Sequence, residues 1–261
     1  MKLPRRKFLH LAAGAAAFPT ILRTANADTY PSRPVRYIVG YAPGGGNDIV
    51  ARLMGQWLSE RTGQQFVIEN RPGAGTNIAT EAVVNAPPDG YTLLSAGAPN
   101  AINATLYEKL NFNFIRDIAP VAGIVSVANV FTVHPSVSAK TVPEFIAYAK
   151  ANPGRINMAT NGNGSASHMS AELFKMMTGV NMVNVPYRGT APAITALLGG
   201  QVQGSFVSLP GSIAYIKASK LRAIAVTTAM RSEALPDIPT VAEFVPGYEA
   251  SVWYGIGTPT N

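Results

Sequence analysis

The chain has 261 residues, 47% of them hydrophobic, with no cysteine, three histidines and a formal charge of +7. Without cysteine neither disulfides nor thiolate chemistry is available, and His10, His134 and His168 are too scattered to make a metal site. The charge does not argue for a nucleic-acid partner: residues 1–27 carry five of the 21 basic residues and none of the 14 acidic ones, which leaves the remainder at +2.

Residues 1–27 have the three parts of an export signal. Lys2, Arg5, Arg6 and Lys7 form a basic start, residues 8–18 a short apolar stretch, and Ala25-Asn26-Ala27 an A-x-A site with cleavage expected after Ala27. The Arg5-Arg6-Lys7-Phe8-Leu9 run also fits a twin-arginine signal, although paired arginines occur in ordinary secretory signals too. Pro19 and Arg23 cut the run short of the ~20 apolar residues an anchor needs, and no later segment is apolar enough to span a bilayer.

Residues 35–41 form a strand-like run that enters Tyr41-Ala-Pro-Gly-Gly-Gly-Asn-Asp48. A helix follows, with Ile49, Val50, Leu53, Trp57 and Leu58 at helical spacing and Trp57 expected in the core. Gly44, Gly45 and Gly46 allow a tight turn with several N–H groups exposed ahead of a helix dipole, and Asn47 and Asp48 open the helix. Such a junction holds an anion, and no catalytic group accompanies it. Next come a strand at 66–69, a third glycine junction at Gly73-Ala74-Gly75-Thr76-Asn77, a helix at about 77–85 and a strand at 92–96. Thr141-Val142-Pro143-Glu144 predicts a capping box at a helix start, and Asn152-Pro153-Gly154 a stop.

A strand at 156–160 then leads into Asn161-Gly162-Asn163-Gly164-Ser165-Ala166-Ser167-His168, which repeats the logic of the first loop. Gly162 and Gly164 free the backbone, while Ser165 or Ser167 can cap the helix and offer a hydroxyl. Met169, Leu173, Met176 and Met177 give that helix an apolar face, and strands at 182–185, 204–207 and 222–228 follow. Strand–helix alternation predicts an α/β protein with mostly parallel sheets covered on both faces. In such sheets the glycine junctions lie at the carboxyl ends of the strands, where ligands bind. Two of them facing across a cleft would take both ends of a small dianion.

Plainer roles stay open for each residue. Glycine-rich junctions are often only tight turns, Asp48, Ser165 and Ser167 can serve as caps, and His168 can simply be packed. Ile78 stands where a Rossmann fingerprint needs Gly or Ala, and there is neither a P-loop nor a nucleophile elbow. A secreted hydrolase using Ser165 or Ser167 with His168 would lack a third member, and neighbours entering a helix point in different directions.

Seven motifs occur in a fixed order: Tyr30-Pro-Ser-Arg-Pro-Val35, Tyr41 to Asp48, Glu69-Asn-Arg-Pro-Gly-Ala-Gly75, Pro88-Asp-Gly-Tyr-Thr-Leu93, Ala149-Lys-Ala-Asn-Pro-Gly154, Val185-Pro-Tyr-Arg-Gly189 and Leu235-Pro-Asp-Ile-Pro-Thr240. With this set the chain resembles the Bug-type periplasmic solute-binding receptors of tripartite tricarboxylate transporters. The resemblance implies a type II periplasmic-binding-protein fold of two α/β domains that close over a ligand cleft. Domain 1 would comprise residues 28–126 and 228–261, and domain 2 residues 127–227. It further implies a small carboxylate as ligand, a membrane permease as partner, no cofactor and no catalysis. A sensor subunit that signals to a membrane kinase on the same fold is the alternative. The loops that hold the carboxylate in the family, largely through main-chain amides, match Tyr41 to Asp48 and Asn161 to His168, with Tyr187 and Ser208 as further pocket residues. Family members continue beyond the Trp253-Tyr254-Gly255 segment, so an incomplete, poorly stable first domain is expected.

Overall fold

The computed structural model describes residues 29–260, and the export-signal reading of residues 1–27 lies outside them. From Arg33 onward the chain is one unit built on a nine-stranded sheet. Its first section holds β1 (Val35–Val39), β2 (Phe66–Asn70), β3 (Thr92–Gly97) and β9 (Ser251–Pro259). Its second holds β5 (Asn157–Thr160), β6 (Val183–Pro186), β7 (Gly204–Ser208) and β8 (Arg222–Val226). The 16-residue β4 (Ile118–Val133) belongs to both: residues 118–128 pair with β9, and residues 129–133 with β7 and β8.

The sheet is mixed rather than mostly parallel. β1 pairs in parallel with β2 and β3, and β5 with β6 and β7. Every pairing of β4 and β9 is antiparallel. Those two strands lack the glycine-turn and helix that flag a β–α unit, and so left no trace in the alternation.

Among the described residues, seven helices of eight or more residues flank the sheet: α1 (Gly46–Thr62), α2 (Asn77–Val84), α3 (Ala98–Leu106), α5 (Val142–Ala151), α6 (Ala166–Thr178), α7 (Thr190–Leu198) and α8 (Leu209–Lys217), with a single turn, α4 (Phe114–Asp117), before β4. The expected face of α1 is wrong. Leu53 and Trp57 are 62% and 48% exposed, and the guanidinium of Arg61 lies over the Trp57 ring. The buried residues are Gly46, Asn47, Asp48, Ala51 and Gly55. A Cβ on Gly55 would come within 2.9 Å of Ile68 on β2, so the helix approaches the sheet along a stripe of small residues and turns its large ones outward. In α6, likewise, Ser167, Ser170, Ala171 and Phe174 face inward, Leu173 and Met177 are only partly buried, and Met176 is 76% exposed.

The second section is held by an aromatic cluster. Phe131 stacks on Phe206 at 4.5 Å and meets Phe145 and Phe174 edge-on at 4.7 and 5.3 Å. The capping box is half as drawn: Thr141 Oγ1 accepts the Glu144 N–H, whereas the Glu144 carboxylate takes the N–H of Lys140 rather than of Thr141.

Candidate functional site

A cavity of about 30 Å³ lies where the two sections meet. Parts of five helix N-termini line it. Gly45 and Asn47 come from α1, Gly97 and Pro99 from α3, Ala166 and Ser167 from α6, Thr190 from α7, and Ser208 is the N-cap of α8. The first turn of each helix has N–H groups with no acceptor one turn back, and the dipole adds partial positive charge there. Among the described residues, no Asp, Glu, Lys, Arg or His lines the cavity. Tyr41 and Tyr254 do; burial, and for Tyr41 also the neighbouring Tyr254, pushes both hydroxyls up, that of Tyr254 to about 12. Both therefore remain O–H donors at any ordinary pH.

Polar atoms here lack partners. Ser167 and Ser208 are 1% and 3% exposed; the Ser167 hydroxyl makes no hydrogen bond among the described residues, and the Ser208 hydroxyl has only that of Tyr254 beside it. Asn161 donates through Nδ2 to Thr190 Oγ1 at 3.0 Å, which leaves its Oδ1 without a partner. Buried hydroxyls and amides are rarely left so, and a ligand's oxygens would satisfy the donors.

The two glycine loops are braced rather than spent on ligand contact alone. Asp48 Oδ2 accepts the Gly44 N–H at 2.9 Å, and the same carboxylate takes Arg52 and Asn70. Burial raises the Asp48 pKa, but those bonds outweigh it and hold it below the usual range. In the second loop His168 Nδ1 accepts the Gly164 N–H at 3.2 Å, while Ser165 Oγ caps α6 by accepting the His168 N–H at 3.1 Å. The ring of His168 is bonded to neither Ser165 nor Ser167, so the hydrolase geometry is not formed.

Of the sequence-derived residues, Tyr41, Gly45, Asn47, Asn161, Ser167 and Ser208 meet at the cavity. Gly162 and Tyr187 line a separate outer chamber of about 470 Å³, which shares Tyr41 and Asn161 with it. Gly44, Gly46, Asp48, Gly164, Ser165 and His168 line neither. Sequence reasoning missed Gly97, Pro99, Asn129, Thr190, Trp253 and Tyr254. The Gly97-Ala98-Pro99 and Gly189-Thr190-Ala191-Pro192 runs carried the signal, each a glycine and an early proline at a helix start.

The sections touch closely around the cavity. The Ala42 N–H donates to the Arg188 carbonyl at 3.0 Å. A Cβ at Gly46 would lie 2.5 Å from Ser208 Oγ and 2.8 Å from the Tyr254 hydroxyl, and one at Gly45 would lie 3.1 Å from Thr190 Cβ. The first glycine loop thus seats against the second section without side chains between.

A family model described as "Tripartite tricarboxylate transporter family receptor" matches residues 50–261. Protein BugT of Bordetella pertussis is 37% identical over 242 residues, 92% of this chain and 74% of that protein. An R. palustris protein solved with adipate is 39% identical with a TM-score of 0.87, over 89% of this chain and 78% of that one. MatC from Rhodopseudomonas palustris with bound malate is 31% identical with a TM-score of 0.84, over 88% and 79%.

Proposed function

Because the chain belongs to the tripartite tricarboxylate transporter receptor family, of the Bug type, we propose that it captures a small carboxylate in the periplasm and delivers it to a membrane permease. One observation carries this reading: five helix N-termini and the unpartnered Ser167 hydroxyl surround a cavity that, among the described residues, is lined by no charged side chain. Such a site binds an oxyanion through fixed dipoles and offers nothing to transform it. The relatives solved with adipate and malate support a carboxylate in particular.

In this reading the principal amides are those of Asn47 in the first loop and of Ala166 and Ser167 in the second, which line the cavity at helix starts. The N–H groups of Gly44 and Gly164 are already taken by Asp48 and His168. Residues 28–126 with 228–261 then act as one lobe and residues 127–227 as the other, a division supported by the change of partner along β4 near residue 128. A ligand that bridges both loops only when the lobes are shut favours closure by its differential affinity, and the permease recognises the shut form.

A thermal-shift screen of di- and tricarboxylates, acidic amino acids and aromatic acids tests the reading. An acid present at 100 times its dissociation constant should add about 2.7 kcal/mol of stability. Absence of any response from a folded protein would sink it.

A further inference from the structure

We propose that Ser95 is a positioning residue for this site: its hydroxyl holds the Asn47 side-chain amide with the NH2 turned to the ligand, so that the first loop offers an oriented side-chain donor beside its main-chain ones. The inference rests on the carboxylate reading above and goes beyond it. Ser95 lies on β3, is 6% exposed and does not itself line the cavity. Its Oγ donates to Asn47 Oδ1 at 2.7 Å. Asn47 does line the cavity, and its Nδ2 has no hydrogen bond among the described residues.

An asparagine amide has nearly the same shape in two orientations a half-turn apart, one presenting NH2 and the other the carbonyl oxygen. The choice sets the sign of its interaction with an oxyanion, because NH2 donates to it and the carbonyl oxygen repels it. A hydroxyl behind the amide fixes that choice when its own proton is committed to the amide oxygen. Tyr37 on β1 supplies the commitment. Its hydroxyl is buried, lies beside Ser95 and has no other partner among the described residues. Burial pushes it up to about 12, so it stays an O–H donor, and Ser95 Oγ is the acceptor at hand. The serine proton is then left for Asn47 Oδ1. Tyr37, Ser95 and Asn47 stand on β1, β3 and α1, the elements around the first loop, so the donor is oriented before the ligand arrives and its side chain loses little freedom on binding.

Calorimetry with adipate, malate and any acid that stabilises the chain in the screen above tests this on the wild type, Ser95→Ala, Asn47→Ala and the double variant. Ser95→Ala should weaken the acid about tenfold with unchanged circular dichroism, the loss expected when one donor to a charged acceptor is no longer held in place. In the Asn47→Ala background the same change should have no further effect, since the serine acts through that amide. Asn47→Asp, which puts an anionic oxygen where the NH2 stood, should bind more weakly than Asn47→Ala. Should Ser95→Ala not fold, Tyr37→Phe/Ser95→Ala takes its place, because it leaves no hydroxyl stranded; failure of both to fold makes Ser95 a packing residue and overturns the inference. Wild-type affinity in folded Ser95→Ala, an equal loss with and without Asn47, or an Asn47→Asp variant that binds as well as Asn47→Ala overturns it while the carboxylate reading stands. No binding of any acid by folded wild type overturns both.

Discussion

Hydrogen-bond acceptors on side chains, more than backbone freedom, fix the candidate site at the scale of single residues. His168 shows this most clearly, because its Nδ1 can accept the Gly164 N–H only while it is unprotonated. Burial lowers its pKa below the ordinary 6.5, and Lys175 adds to this while Glu172, whose Oε1 is 3.9 Å from Nε2, opposes it. A folded-state pKa below the unfolded one means that the unfolded chain binds more protons in that interval, so stability rises with pH. The contribution is complete above about pH 6.5 and is lost as pH falls through the folded value. Thermal midpoints measured from pH 7.5 to 5 should drop less in His168→Ala than in the wild type; parallel curves would remove the ring from the loop's support.

Gly46 makes a second residue-level case. Its Cα sits where Ser208 and Tyr254 leave no room for a methyl group. Overpacking of this kind costs about 1–3 kcal/mol, and on the proposed closure mechanism the ligand-bound form would bear the cost. Gly46→Ala should therefore weaken carboxylate affinity roughly tenfold, as read by calorimetry, with the far-ultraviolet dichroism unchanged. Ser167→Ala, which removes one donor, should cost about 0.5–1.5 kcal/mol of affinity, or up to about 3 if the bond is to charge. A loss of all detectable binding in Ser167→Ala would point away from shared main-chain donors.

Among the elements, helices α1 and α6 carry the lesson that periodicity finds a helix but need not find its buried side. Both approach the sheet along small residues, Ala51 and Gly55 in α1 and Ser170 and Ala171 in α6. The depth of that approach sets which stripe is inward, and the depth depends on the strand underneath. The energetic consequence is a contrast within a single helix. Phe174 is fully buried and touches Phe131 and Tyr248, so Phe174→Ala should cost about 3–5 kcal/mol in denaturant unfolding. Met176, two residues on, projects outward, and Met176→Ala should stay within about 0.5 kcal/mol. Comparable losses at the two positions would mean that the helix is turned on its axis.

For the whole molecule, the surface near β4 and β9 bears on stability. A groove of about 350 Å³ between α4 and the first half of β4 is lined by Phe114, Ile115, Ile118, Trp253 and Ile256, and Ile115 is 82% exposed. An apolar concavity of this kind binds hydrophobic dyes. The folded chain should enhance the fluorescence of an anilinonaphthalene dye without denaturant, and Ile115→Glu should reduce the signal while the free energy of unfolding stays within about 0.5 kcal/mol of wild type. A dye-silent wild type would show that the groove is closed in solution.

The chain by itself determined a good deal: an α/β protein, the positions of β1, β2, β3 and β5 within two residues, and two glycine junctions ahead of α1 and α6. These are local properties, since a glycine pair after a β-branched run and before a helical pattern specifies a turn regardless of what lies opposite. Ordered motifs added the family, because seven weak local signals in one order have few alternative origins. Tertiary structure alone decided which residues share the cavity. Asn129, Thr190, Trp253 and Tyr254 lie up to about 200 residues from Tyr41 and Gly45, and meet them because β4 runs through both sections of the sheet and β9 pairs along its first half. It also decided the role of Asp48, whose carboxylate faces Arg52 and Asn70 rather than a ligand. Spacing in sequence cannot report which partner a buried charge finds; the free energy of desolvating that charge makes some partner obligatory, and only the packed sheet supplies one.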